Sequence, residues 1–439
     1  MSATSSRPSY AAVLRIPYAR RTFAAALVGR LSYGMVPLAV LLAVTRATGS
    51  YALAGTVMAL FGATSVLLSP ARAALVDRYG PRRALPPMAL LYAVLLGLLA
   101  VAAWRPGASA PVLGAVAVAA GACTPPLGPT MRTVWSELAV ERGLLPRAYS
   151  LDGVAEELLF VSGPLVVGVV VGLAPPAAAV VLGAVLVAVG TFGFVASPAV
   201  ARLPGRGAVS EKPTGRRRSV VTGIVPPVVA AGGVGLALGA LDLLVLAFAE
   251  QRGHGDDVVA WIFAALSAGS AVGGLLYGAV EWRSGARVRL ALLTAGLGLA
   301  LAGAGLAPNL AVLTGAVVCA GLFVAPALTT AYLVADASAP PTARTRSGAW
   351  VNAAVNAGVA TGAAASGLLV SRLSPALGFA LAGATALFAA TAVGVGSRRG
   401  RATGTEMRAE ESAEESLRGQ ATRAEASAAR AGASEHQGA

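Results

Sequence analysis

Long apolar runs alternate with short polar breaks along almost the whole chain. A helix needs about 20 apolar residues to cross ~30 Å of hydrocarbon. Twelve runs meet that need: 22–44, 51–71, 85–103, 110–131, 150–172, 177–197, 221–249, 257–280, 289–307, 309–335, 347–370 and 375–396. Most connections are short, which makes sequence neighbours antiparallel. The exception is 198–220, where Arg202, Arg206, Lys212 and the run Arg216, Arg217, Arg218 separate six helices from six. The predicted fold is an all-α membrane protein with twelve transmembrane helices in two pseudo-symmetric six-helix bundles. Its expected parts are an N-terminal segment 1–21, a bundle 22–197, a central loop 198–220, a second bundle 221–396 and a tail 397–439. The tail is rich in Ala, Arg, Glu, Ser and Gly without an apolar face, so it is expected to be solvated and disordered. The first run is too long for the core of a cleaved signal and carries Arg30, which makes it a retained helix.

Composition agrees with this reading. The 439 residues are 56% hydrophobic and 12% charged, with a mean hydropathy of +0.72, against about 25% charged residues in ordinary soluble domains. The net charge of +14 is spread through short loops, so it sets orientation and does not form a nucleic-acid surface. With the N-terminus inside, the outer loops hold only Arg46, Arg105, Arg252 and Arg372 of the 34 Lys and Arg residues, and Arg30 lies within a span. Both termini are therefore expected in the cytoplasm, with the chain in the plasma (inner) membrane.

Little here supports enzyme chemistry. Cys123 and Cys319 lie in apolar runs, His254 falls in an outer loop and His436 in the tail. No disulfide framework, metal site or cofactor is expected from them. There is no His-Glu-x-x-His, Gly-x-Ser-x-Gly or P-loop pattern, so neither a hydrolase nor direct use of ATP is expected. An intramembrane enzyme or a non-transporting receptor remains as the rival from another class.

Polar groups inside the runs are the candidate chemistry, because a charge near the bilayer centre costs about 2.5–3.5 kcal/mol even on the lenient insertion scale. Arg30 lies about 13 Å beyond Arg21 at 1.5 Å per residue and is expected to face the protein interior. Asp152 reads as a helix-start carboxylate favoured by the dipole. Glu156 and Glu157 point about 100° apart; one is expected to meet Arg30 or the cavity and the other the loop layer, with Glu157 assigned as the Arg30 partner. Asp242 is the lone acid of helix seven, either a proton-coupling carboxyl or a protonated group bonded to a neighbouring helix. Asn352 and Asn356 share a helix face at i, i+4, available to a substrate or another helix. Pro37, Pro125, Pro126, Pro129, Pro164 and Pro326 should kink or loosen helices one, four, five and ten.

An internal repeat is visible at a shift of 200. It places Gly121 on Gly321, Pro126 on Pro326, Thr130 on Thr330, Asp152 on Asn352 and Glu156 on Asn356. Such a repeat implies two parallel halves about an axis normal to the membrane.

The densest charged break, Ala73-Ala-Leu-Val-Asp-Arg-Tyr-Gly-Pro-Arg-Arg83, resembles the signature after the second helix of the major facilitator superfamily. Asp77, Arg78, Gly80, Arg82 and Arg83 follow the pattern, Ala73 stands where the family has Gly, and Pro81 replaces a basic residue. The loop Glu281-Trp-Arg-Ser-Gly-Ala-Arg287 echoes it in degenerate form. Gly163-Pro164, with Gly153 before and Gly168 after, is similar to part of the helix-five motif of proton-coupled exporters. Residues 123–132 resemble helix four of bacterial drug-efflux-like members. The resemblance implies helices one, four, seven and ten around a cavity, and two halves rocking about a midplane site. It also implies that Asp77 meets the start of helix eleven near Ser347, and basic groups such as Arg132, to hold the cytoplasmic side shut. The expected function is export of small hydrophobic or amphipathic molecules in exchange for protons by a monomer, with proton-coupled uptake of a sugar or other nutrient as the rival.

Overall fold

The computed structural model describes residues 9–203, 217–253, 256–369 and 372–394, and among these there is no strand. The first half contains α1 (Tyr10–Arg15), α2 (Ala19–Thr48), α3 (Tyr51–Leu67), α4 (Ser69–Tyr79), α5 (Pro81–Ala102), α6 (Ala110–Cys123), α7 (Leu127–Ala139), α8 (Leu145–Leu173), α9 (Pro176–Val195) and α10 (Pro198–Ala201). The second contains α11 (Arg217–Glu250), α12 (Asp256–Ala279), α13 (Ala286–Ala304), α14 (Leu310–Ser338), α15 (Arg344–Leu369) and α16 (Pro375–Gly394). Most of the expected central loop and all of the tail beyond Gly394 fall outside the described residues, as does His254.

Local chemistry explains the ends. Ser9, Ser50 and Asn309 cap α1, α3 and α14 by accepting from the backbone N–H of Ala12, Leu53 and Val312, which satisfies donors the helix leaves free. Gly80 stops α4 with φ 81°, a conformation that L side chains disfavour, and Pro81 restarts the chain at once as the first residue of α5. The charged break is thus a one-residue turn between two spans.

Among the described residues ten spans, one of them α6 with α7, are long and apolar enough to cross a membrane, and α3 with α4 forms one more, bent by 42°. The twelfth is α15, whose Asn352, Asn356 and Ala/Gly/Ser content make it too polar to qualify by composition. Two spans are broken at corresponding depth: the second at Leu68, ahead of Ser69-Pro70, and the fourth at Thr124–Pro126. Pro125 and Pro126 were expected to loosen helix four, whereas the break in helix two is new. Pro37, Pro164 and Pro326 lie inside unbroken helices.

Within each half the helices close on small residues. Gly34 and Gly163 face one another where α2 crosses α8; a Cβ on Gly163 would stand 2.5 Å from the Gly34 backbone. In the second half Gly239 plays this part against Val359. Small residues let backbones approach within a membrane, where dispersion and polar contacts drive association.

Three clusters of buried side chains hold the molecule. One is confined to the first half around Met35, Tyr92, Leu113 and Val180, and one to the second around Val234, Leu241, Leu297 and Phe379. The third joins the halves through Phe23, Trp135 and Tyr149 from one and Tyr277, Leu333 and Val351 from the other. All three clusters exclude water and lipid, but only the last crosses between bundles, and it lies at the end bearing the Gly80 turn. This is the arginine-rich end.

Candidate functional site

The centre of the first half holds four charges. Arg30 of α2 is 2.7 Å from Asp152 and 3.1 Å from Glu156, both on α8. Arg132 of α7 is 3.1 Å from the other Asp152 oxygen and pairs with Glu156 as well. Each carboxylate therefore bridges both guanidiniums, and formal charge cancels. The Arg30, Arg132 and Asp152 side chains are at most 5% exposed, whereas Glu156 is 28% exposed. Glu156 is the most exposed member of the network.

The helices dictate this arrangement. Asp152 lies about 10 Å along α8 and Arg30 about 16 Å along α2 at 1.5 Å per residue, depths at which a lone charge is costly. Asp152 and Glu156 share one face of α8 at i, i+4, so one stripe supplies both anions. Gly128, opposite, leaves room: a Cβ there would stand 3.7 Å from Arg132 and 3.9 Å from Arg30.

Two expectations are corrected here. Asp152 is not a helix-start carboxylate, because α8 begins at Leu145; it is fully buried at the heart of the network. Glu157 is not the Arg30 partner. Turned about 100° from Glu156, it crosses to the second half and accepts a hydrogen bond from Ser270 of α12 at 2.9 Å. The loop layer takes neither glutamate.

The second half reaches the network through Tyr332 of α14, whose ring lies 3.7 Å from the Arg132 guanidinium carbon. Stacking of this kind is favourable and strengthens when desolvated. The Tyr332 hydroxyl donates to Asn352 at 3.4 Å, so that asparagine bonds a helix neighbour. Asn356 is exposed and, among the described residues, bonds only its own helix, to the Asn352 carbonyl at 2.8 Å. Asp242 is not brought to the network: it is exposed on α11, with no hydrogen bond or ion pair among the described residues. The opposite face of α11, with Gly233, Ala240 and Leu244, lines an apolar groove of about 610 Å³ shared with Leu369 and Phe388. Asp242 lies about 180° around the helix from Gly233, so it is turned away from that groove.

A polar seam joins the halves at the arginine-rich end. Asp77 accepts from the backbone N–H groups of Thr345 and Arg346 at 3.2 and 2.8 Å, where α15 begins and its dipole favours an anion. Its partners are those amides and not Arg132, which belongs to the network instead. Ser136 donates to Asp336 at 2.8 Å, Thr133 meets Thr345 at 3.1 Å, and Arg344 bonds Glu137 at 2.9 Å. Arg78, Arg82 and Arg83 are exposed, Gly80 makes the turn and Ala73 is fully buried. Among the described residues, every hydrogen bond between the halves lies at this end or at the depth of Glu157. The molecule is closed at the arginine-rich end.

Sequence reasoning missed Arg72, which sits at the edge of the second run and looks like loop. It is 6% exposed and donates to the carbonyls of Ser65, Gly121 and Ala122 at 2.6, 2.9 and 3.1 Å. One guanidinium thus satisfies the ends of α3 and α6, the two half-helices that precede the breaks. The signal available was Pro70, which fixes a helix start just before it. No group of His, Cys, Asp and Glu suited to a metal ion occurs among the described residues.

None of the curated proteins matches the chain in sequence. Solved structures similar in fold include the human organic anion transporter MFSD10 (TETRAN), at 16% identity and a TM-score of 0.67 over 88% of this chain and 100% of that one. A bacterial homologue of the iron transporter ferroportin in its outward-facing state matches at 14% identity and a TM-score of 0.67, over 86% of this chain and 97% of that one. The proton:xylose symporter XylE matches at 13% identity and a TM-score of 0.62, over 87% of this chain and 95% of that one. At such identities the likeness is one of fold. The family model described as Major Facilitator Superfamily matches residues 22–221 and 228–428, nearly the whole length in two halves, and the chain belongs to that superfamily.

Proposed function

We propose that this protein is a secondary transporter that exports small hydrophobic or amphipathic molecules in exchange for protons, by alternating access between its two bundles. The observation that carries the reading is Glu156: an acid held by two arginines, yet 28% exposed where Arg30, Arg132 and Asp152 are at most 5% exposed. A proton on Glu156 leaves two guanidiniums facing one carboxylate, and the surplus positive charge loosens Arg132 from its place under Tyr332. A proton thereby acts on a contact between the halves. Glu157 adds a second carboxyl at the interface, and Asp242, Asn352 and Asn356 offer polar groups to a passing solute. Gly163 with Pro164 supplies the close crossing on which α8 pivots. By the loop charges, the closed end and both termini lie in the cytoplasm, across the plasma (inner) membrane. On that placement the conformation described is outward-facing, and the lipid bilayer is the only partner the fold requires besides the solute and protons.

In proteoliposomes, an imposed pH gradient is expected to drive accumulation of at least one member of a broad panel of amphipathic compounds. Glu156→Gln should keep downhill flux and lose the response to the gradient. Absence of any gradient-driven flux across the panel would remove proton coupling from the account. The likeness to a proton:xylose symporter keeps uptake as the second reading; the direction of counterflow in right-side-out vesicles separates the two.

A further inference from the structure

Asp77 is badly placed for its own helix. It lies in the last turn of α4, where a carboxylate faces the negative end of the dipole, and it fits only the N-terminus of α15 across the interface. Arg147 shows the same misfit with the signs exchanged. It occupies the first turn of α8, where a cation opposes the positive end, and it reaches instead to the C-terminus of α12 in the other half. Its Nη2 donates to the Ala279 carbonyl at 3.5 Å and lies 3.9 Å from Glu281. The guanidinium is 6% exposed, so it is no solvated surface charge.

The two contacts occupy equivalent places. Counting spans, α4 ends the second of the first half and α12 the second of the second half; α8 and α15 are the fifth of each. The degenerate copy of the charged turn, 281–287, follows a helix with no acid in its last turn, Leu276-Tyr-Gly-Ala279. Arg147 supplies the missing charge from the opposite side. Two further groups serve the same helix end. Gly278 permits close approach, since a Cβ there would stand 2.7 Å from the Ser150 hydroxyl and would strike the Tyr10 hydroxyl. Tyr10 of α1 donates to the Leu275 carbonyl at 2.6 Å. Burial raises the Tyr10 pKa, so this group remains a donor across the physiological range.

We propose that Arg147, docked on the C-terminus of α12, is a second, charge-inverted latch that acts with Asp77 to hold the arginine-rich end closed, with Tyr10 fastening α1 to the same helix end. The latch rests on the reading that the halves part at this end during transport. Its test is a pulsed spin-label distance between exposed sites, Glu141→Cys and Arg283→Cys, in full-length protein in nanodiscs with Cys123 and Cys319 replaced by alanine. The parent should give one short distance. Arg147→Ala, and Arg147→Gln as a milder form, should add a longer-distance population, raising the open-to-closed ratio roughly fivefold or more. Arg147→Lys, which keeps the cation, should stay near the parent. A closed distribution in both neutral variants, with Asp77→Asn opening as expected, overturns the latch and leaves alternating access standing. A closed distribution in all of them overturns both, and opening in Arg147→Lys equal to that in Arg147→Ala overturns the charge argument.

Discussion

Asp152→Ala is expected to cost about 3–5 kcal/mol of stability, the usual result of removing one partner from a buried ion pair. The loss would be a large part of the ~5–15 kcal/mol by which proteins are stable. Arg30 would lose its shorter contact, 2.7 Å, and Arg132 one of its two carboxylates, leaving two buried cations to share Glu156. The measurement is the thermal midpoint and monodisperse fraction of the detergent-purified protein. Neutralising a cation at the same time, as in Arg30→Gln with Asp152→Asn, should recover most of the loss, because the remaining polar groups can still bond one another. A single variant with parental stability would mean that the network is not a structural unit.

Asp77→Asn is expected to cut transport severely while the amount of protein inserted in the membrane stays unchanged. The carboxylate accepts two backbone N–H groups, and bonds to a charged group contribute about 1.5–3 kcal/mol. The amide keeps one acceptor oxygen and loses the charge that the α15 terminus favours. If this end opens during transport as proposed, these bonds exist only while it is shut, and their loss acts on the balance between conformations, roughly 5–150-fold for a coupling of about 1–3 kcal/mol. Initial rates of flux at matched protein density check the point. Parental rates would reduce the charged turn to an orientation signal.

Much of the fold could be read from the chain because the bilayer imposes one dominant constraint, an apolar stretch of fixed length. That constraint gave the runs and the six-plus-six split, and the Gly80 turn carried the family signature. It gave helix starts poorly. Apolar counting began the fifth span at Ser150, since Pro146 and Arg147 look like loop, whereas α8 begins at Leu145. The error made Asp152 look like a cap and hid the anion at the centre of the network. Pairing was equally out of reach: whether Glu156 or Glu157 faces Arg30 depends on how α8 is rotated about its axis, which the Gly34–Gly163 crossing fixes and which no local pattern reports. Arg72 and Arg147 shared one disguise. Each lies where an arginine is ordinarily an anchor at a span's end, and their burial follows from a break in one case and a neighbouring helix end in the other.

The account stands on two bundles that expose the space between them to one side of the membrane at a time. The most direct test is the access of a membrane-impermeant thiol reagent to a single cysteine at Asn356, an exposed position on α15, in a background lacking Cys123 and Cys319. In right-side-out vesicles the reagent should modify this cysteine rapidly from the outer face, and in inside-out vesicles it should do so slowly, with the preference reversing in Asp77→Asn. Equal modification from both faces, or rapid modification only from the cytoplasmic face of the parent protein, would contradict the account.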